Sequence, residues 1–105
     1  MNWLFLFIAS LFETGWPVGL KFATFSEHKI LWVIFSIIAM LLSGYFLYLA
    51  QKTIPIGTAY AVWTGIGMIG AFVFGLSLFH DTFSLLKFFG ILLILFGVIL
   101  LKISE

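Results

Sequence analysis

One carboxylate stands in the middle of a long apolar stretch near the start of the 105-residue chain. Between Trp3 and Leu20, Glu13 is the only ionisable side chain. A charge near the centre of a bilayer costs about 2.5–3.5 kcal/mol on insertion scales, and such residues usually mark ion or proton pathways. We therefore expect Glu13 to bind a proton or a cation. The alternative is a structural carboxylate that is hydrogen-bonded inside a helix bundle.

Three residues share a helical face with this carboxylate. Ser10, Trp16 and Pro17 are three or four positions from Glu13 and would flank it on a helix. Pro17 has no N–H, so the Glu13 carbonyl, four residues earlier, loses its helical donor. Trp16 is too deep in the apolar stretch for an interfacial anchor. The spacing predicts a helix that can kink, with a carboxylate, an indole and a free carbonyl at similar depth.

Composition sets the class of protein. Hydrophobic residues make up 64% of the chain and charged residues 9%, against about 45–50% and about 25% in soluble domains. This predicts an all-α membrane protein with a single domain over residues 1–105. The absence of cysteine excludes disulfides, thiolate metal sites and cysteine nucleophiles. We expect no cofactor, and no metal because His28 and His80 form no ligand cluster. We expect no nucleic-acid partner, since the net charge is only +1.

Four apolar segments are separated by short polar breaks. They predict transmembrane helices over about residues 3–21, 30–50, 54–79 and 83–102, with both termini on one side. Helices of about 20 residues span a hydrocarbon core of about 30 Å. Pro55 is expected in the first turn of the third helix, where its missing N–H is tolerated.

The lysines are divided almost evenly between the two sides of the membrane. Lys21, Lys29 and Lys87 fall on one side. Lys52 and Lys102 fall on the other. Because the lysine and arginine bias of short loops sets orientation, this chain is predicted to insert both ways round. An inverted second copy would supply the symmetry that many transporters obtain from inverted repeats.

The third segment holds further polar and small residues. Tyr60 and Trp63 share a helical face, and their O–H and N–H groups require partners in an apolar setting. Glu13 of the same or a second chain can accept either bond. Gly65 and Gly67 indicate either a conformational hinge or a close-packing face, and the sequence leaves both open.

The second and fourth segments add a hydroxyl and a stripe of small residues. Ser43 can hydrogen-bond a carboxylate in the membrane, or a carbonyl of its own helix. Gly90 and Gly97 are two turns apart among bulky aliphatic residues, and this spacing predicts a dimer contact.

With these residues the whole chain resembles the small multidrug resistance transporters. The resemblance rests on Glu13, on the run PIGTAYAVWTGIG at residues 55–67 and on the glycines of the fourth segment. Trp16, the Gly-Leu-Lys at residues 19–21 and Lys102 resemble the guanidinium exporter subtype.

This resemblance implies an antiparallel dimer that exchanges protons for guanidinium across the bacterial inner membrane. The partner copy is identical or a paralogue. The resemblance also implies which residues line the binding site: Glu13, Trp16, Ser43, Tyr60 and Trp63.

Two positions depart from the family pattern beside Glu13. Ser10 stands where glycine is usual and Pro17 where alanine is common, and both bear on substrate range. We expect guanidinium or a small substituted guanidinium, because its planar donors match a carboxylate. The alternatives are a broader exporter of quaternary ammonium or lipophilic cations, held by cation–π contacts, and a non-transporting membrane subunit. We do not expect an enzyme, because the sequence shows no combination of a nucleophile, a base and an orienting group.

Overall fold

The computed structural model describes residues 2–104, which fold into four helices joined by short loops. These are α1 (Asn2–Ala23), α2 (Lys29–Ala50), α3 (Ile56–Leu78) and α4 (Leu85–Ile103). All four are long and apolar enough to cross a membrane, and residues 2–104 contain no strand. The prediction of an all-helical protein with four transmembrane helices is confirmed. Each helix begins and ends within two residues of its predicted limits.

The start of α3 differs from the prediction. Pro55 lies just outside the helix, with φ −55° and ψ 143°, instead of in its first turn. Its φ suits a helix, but the extended ψ places it at the N-cap position. There its carbonyl oxygen accepts a hydrogen bond from the backbone N–H of Ala59 at 2.9 Å. Pro55 therefore opens the helix without itself being helical.

The first helix is the centre of the bundle. α1 packs against both α2 and α3, whereas α2 and α3 barely touch each other. A small apolar core at the end of the bundle near the second loop joins α1, α2 and α3 through residues that are almost fully buried: Leu6, Ala50, Ile54, Ala59 and Val62. The helix that carries Glu13 therefore contacts two neighbours along its length.

The fourth helix packs mainly against α3 and reaches α1 near its C-terminal end, where Lys102 Nζ lies 4.6 Å from the centroid of the Trp3 ring. α4 packs against α3 and makes no close backbone approach to α1 or α2. Ser84 caps its N-terminus by accepting a hydrogen bond from the backbone N–H of Lys87 at 3.2 Å. Within residues 85–103 no side chain is buried. Most of α4 is therefore left for lipid or for another protein chain.

Candidate functional site

A cavity of about 380 Å³ lies between α1, α2 and α3, with the Glu13 side chain in its wall. Its lining combines one carboxylate with aromatic, hydroxyl and small residues: Glu13, Trp16, Met40, Ser43, Gly44, Tyr60, Trp63 and Thr64. The five predicted binding residues all lie here, although they come from three different helices. Their part in binding a substrate stays a prediction.

The Glu13 carboxylate is held by a neighbour one helical turn away. Trp16 Nε1 donates a hydrogen bond to Glu13 Oε1 at 2.6 Å. The spacing of three residues on α1 brings the indole beside the carboxylate, as the helical period predicts. This bond gives the partly buried indole N–H its partner and fixes one carboxylate oxygen in the cavity wall.

Two further hydrogen bonds beside the cavity join α1, α2 and α3. Trp63 Nε1 donates to Ser43 Oγ at 2.8 Å. Ser43 Oγ in turn donates to the backbone carbonyl oxygen of Ala9 at 2.8 Å. This fixes the indole of α3 against α2, and α2 against α1.

Two expectations about these groups are wrong for contacts within one chain. Ser43 bonds neither Glu13 nor its own helix, because its hydroxyl donates to the Ala9 carbonyl oxygen of α1. Its side chain is only 1% exposed. Trp63 donates to Ser43 and so does not donate to Glu13. Trp16, rather than an aromatic residue of α3, is the donor that holds the carboxylate.

The aromatic residues of α3 form one wall of the cavity. The ring centroids of Tyr60 and Trp63 are 5.3 Å apart, with an angle of 47° between the ring planes. Tyr60 is 56% exposed, so its ring remains open to a ligand or to a second chain. Rings of this kind attract a cation within about 6 Å of their centroids.

A smaller cavity of about 210 Å³ also borders Glu13. Pro17 and Met68 line this cavity but not the larger one. Trp16 lines the larger cavity but not this one. Two residues that the sequence placed together beside Glu13 therefore border different spaces.

Ser10 does not line either cavity. Its side chain is fully buried, and its hydroxyl donates to the Leu6 carbonyl oxygen of its own helix at 2.8 Å. Ser10 lies one helical turn before Glu13 on α1, but its side chain does not border the cavities at Glu13. Its hydroxyl has a partner inside α1, so the structure gives no support to a bond with a substrate.

Gly65 and Gly67 of α3 lie at points of close helix contact. A Cβ at Gly67 would be 2.6 Å from Glu13 Cγ, and a Cβ at Gly65 would be 2.8 Å from Val98 Cγ2. Both residues sit inside a continuous helix. The close-packing interpretation is thus supported by the contacts of both glycines, and a conformational hinge stays a prediction.

The glycines of α4 are in open space. Apart from its chain neighbours and the nearby backbone of α4 itself, no atom of residues 2–104 lies within 4 Å of a Cβ built on Gly90 or Gly97. This leaves room for another helix, as a dimer contact requires. The contact itself stays a prediction.

Thr14 is a site neighbour that sequence reasoning missed. Its Oγ1 donates to the backbone carbonyl oxygen of Gly67 on α3 at 3.1 Å. The signal in the sequence was a hydroxyl directly after the key carboxylate. The sequence could not show which helix that hydroxyl would face.

Comparison with known proteins agrees with this architecture. The Small Multidrug Resistance protein family matches residues 1–94. A protein of Proteus vulgaris is 40% identical over 105 residues and covers all of both chains. Proteins of Salmonella typhimurium strain LT2 and Escherichia coli strain K12 are 43% and 40% identical over 104 residues, which cover 99% of this chain and 98% of each relative.

All three relatives carry the same name, "Guanidinium exporter". They are similar to this chain from end to end, and the family match includes the first three helices and the start of α4. The chain therefore belongs to the Small Multidrug Resistance protein family and is a multi-pass protein of the bacterial inner membrane.

Proposed function

We propose that this protein exports guanidinium or small substituted guanidinium ions in exchange for protons, with Glu13 as the shared binding group. The observation that carries the proposal is a membrane-embedded carboxylate that borders two cavities and accepts one hydrogen bond from Trp16. The name shared by the three relatives supports the choice of substrate.

The chemistry of the cavity fits a planar cation. Guanidinium offers N–H donors in one plane that match the two oxygens of a carboxylate. Trp16 already donates to Oε1 of Glu13, so a guanidinium ion would pair with the other oxygen or take the place of the indole. The rings of Tyr60 and Trp63 would lie at the side of such an ion.

Exchange follows from competition for one carboxylate. A protonated Glu13 has no charge to attract a cation, whereas a bound cation holds the carboxylate in its ionised form. Proton and substrate therefore occupy the site in turn. If each crosses the membrane only when bound, the inward movement of protons drives the outward movement of substrate.

An antiparallel dimer completes this proposal. α4 lacks a partner on most of its surface, and Gly90 and Gly97 leave space for another helix. Two copies of opposite orientation would bring two Glu13 residues to similar depth, where they would titrate as a coupled pair. The near balance of lysines across the membrane supports insertion in both orientations.

Dual insertion can be tested with added charge. Two lysines placed after Lys102 should bias that end of the chain towards the cytoplasm. Export should then fall, and it should return when an oppositely biased copy is co-expressed. A tag on the wild-type C-terminus that is found on one side of the membrane only would contradict dual insertion.

A second candidate substrate class is the quaternary ammonium ions. The tilted ring pair of Tyr60 and Trp63, with Trp16 on the opposite helix, could hold a spherical cation by cation–π contacts. This alternative needs no hydrogen-bond donors on the substrate. A comparison of guanidinium, which has N–H donors, with tetraethylammonium, which has none, therefore separates the two classes.

The proposal is tested with the purified chain in lipid vesicles, by measuring proton movement driven by guanidinium or by tetraethylammonium. Wild type should show guanidinium-driven proton movement, and Glu13→Gln should show none because it cannot ionise. Glu27→Gln, in the loop between α1 and α2, is the matched control and should behave as wild type. Equal proton movement with tetraethylammonium would favour the second class, and no movement with either would favour a non-transporting subunit.

A further inference from the structure

We infer that Thr14 is a positioning residue that fastens α1 to the backbone of α3 and so sets where the Glu13 carboxylate lies. The inference deepens the proposed function and rests on it. It concerns a residue that lines neither of the cavities that border Glu13. Its effect would therefore pass through the contact between two helices.

The hydrogen bond of Thr14 crosses from one helix to another. Its Oγ1 lies 3.1 Å from the Gly67 carbonyl oxygen on α3 and 3.3 Å from the Ser10 carbonyl oxygen on α1. A threonine inside a helix commonly bonds the carbonyl four residues earlier in its own helix. Here the shorter contact is the one to α3. The side chain is only 5% exposed.

The same stretch of α3 touches Glu13. A Cβ at Gly67 would be 2.6 Å from Glu13 Cγ, and a Cβ at Gly70 would be 2.8 Å from Thr14 Cγ2. Two consecutive side chains of α1 thus rest on two glycines of α3 that are one turn apart. Any displacement of α3 along α1 would change the surroundings of the carboxylate and the hydroxyl together.

Most hydroxyls in the bundle do not join helices. Among hydroxyls on the four helices that donate to backbone carbonyls, Ser10, Thr64 and Ser77 bond their own helices. Ser43 joins α2 to α1, and Thr14 joins α1 to α3. Thr14 is therefore placed to hold the carboxylate-bearing helix against the helix that carries Trp63.

Two substitutions separate the hydroxyl from the shape of the side chain. Thr14→Val keeps the branched shape but cannot donate, whereas Thr14→Ser keeps the hydroxyl. Ser77→Ala is the matched control, because it removes a hydroxyl that bonds only its own helix, α3. We expect the apparent KM for guanidinium to rise roughly three- to tenfold in Thr14→Val, the factor that corresponds to one interhelical hydrogen bond in a membrane. Maximal exchange should change less than the KM, and Thr14→Ser should resemble wild type.

The experiment that tests this inference is an infrared titration of the Glu13 carboxyl group in vesicles without substrate, with Glu13→Gln as the baseline. We expect the titration midpoint to move in Thr14→Val and to match wild type in Thr14→Ser and Ser77→Ala. A midpoint in Thr14→Val equal to wild type would overturn the inference, as would an equal displacement in Thr14→Val and Thr14→Ser. The titration needs no substrate, so it decides the role of Thr14 even if guanidinium is not transported. If Thr14→Val does not fold, a wild-type midpoint in Thr14→Ser together with a displaced midpoint in Thr14→Ala supports the inference, and any other pair overturns it.

Discussion

Gly67 and Gly70 in the middle of α3 and the two glycines of α4 stand in opposite surroundings. A methyl group on Gly67 would meet Glu13, and one on Gly70 would meet Thr14. At Gly90 and Gly97 a methyl group would meet no atom of another helix within 4 Å. In α3 the missing side chain lets two helices of one chain touch beside the proposed site. In α4 the space is unused by this chain, which is what a contact with a second copy would need.

This difference divides the bundle into two functional regions. α1, α2 and α3 are joined by hydrogen bonds from Trp63 to Ser43, from Ser43 to Ala9 and from Thr14 to Gly67. α4 is joined to α1 near its C-terminal end, where Lys102 Nζ lies 4.6 Å from the centroid of the Trp3 ring, but none of its side chains is buried. The first region is organised within one chain, and the second is proposed to be organised between chains.

A substitution at Gly67 is expected to have the largest effect. Gly67→Ala places a methyl carbon 2.6 Å from Glu13 Cγ, so either α3 or the carboxylate must move. Overpacking of this kind costs about 1–3 kcal/mol, and we expect guanidinium-driven proton movement to fall by roughly ten- to a hundredfold. Gly57→Ala, at an open position of the same helix, should transport as wild type. Wild-type transport by Gly67→Ala would show that the α1–α3 contact does not control the site.

A large residue at Gly97 should have a smaller effect that depends on association. A Cβ at Gly97 meets no other helix of the chain, and the side chain of Gly97→Leu would extend into the space proposed for a partner helix. We expect dimerisation in lipid, measured by dilution of labelled protein, to weaken by about tenfold while the helical content of each chain is unchanged. Leu95→Phe, on the other side of α4, is the control for added bulk. Equal dimerisation of Gly97→Leu and wild type would place the dimer contact elsewhere.

Substitutions at Trp16 and Pro17 should have the smallest effect, a change in preference between substrates. Trp16→Gly enlarges the larger cavity and removes the hydrogen bond to Glu13, so it should transport guanidinium less well and tetraethylammonium somewhat better. We expect the ratio of guanidinium to tetraethylammonium transport to change by roughly three- to tenfold, which corresponds to the free energy of one cation–π contact. Pro17→Ala, which changes the lining of the smaller cavity but not of the larger one and restores a backbone N–H in α1, is the comparison. A larger change in Pro17→Ala than in Trp16→Gly would make the smaller cavity the selective one.

The helices could be predicted from the sequence because they follow from the order of apolar and polar residues along the chain. Runs of about 20 apolar residues located all four helices to within two residues, and the spacing of Glu13 and Trp16 on one helix brought them into hydrogen-bond contact. These features depend on the rise and period of a helix and not on what lies beside it. The position of Pro55 was wrong by one residue because its ψ, unlike its φ, is not fixed by the ring.

Contacts between helices could not be predicted in the same way. Ser43 had two plausible acceptors in the sequence, and it bonds a third, the Ala9 carbonyl oxygen. Thr14 was missed because its acceptor is a backbone group of α3, distant in the chain. The orientation of each helix about its own axis decides such bonds, and all faces of these helices are apolar enough to obscure that orientation.

The central claim is that one carboxylate binds either a proton or guanidinium. It is tested most directly by adding guanidinium to purified protein in weakly buffered detergent and measuring released protons with a pH-sensitive dye. We predict proton release from wild type that saturates with guanidinium and disappears in Glu13→Gln. Saturable guanidinium binding without proton release, or release from Glu13→Gln equal to that of wild type, would contradict the claim.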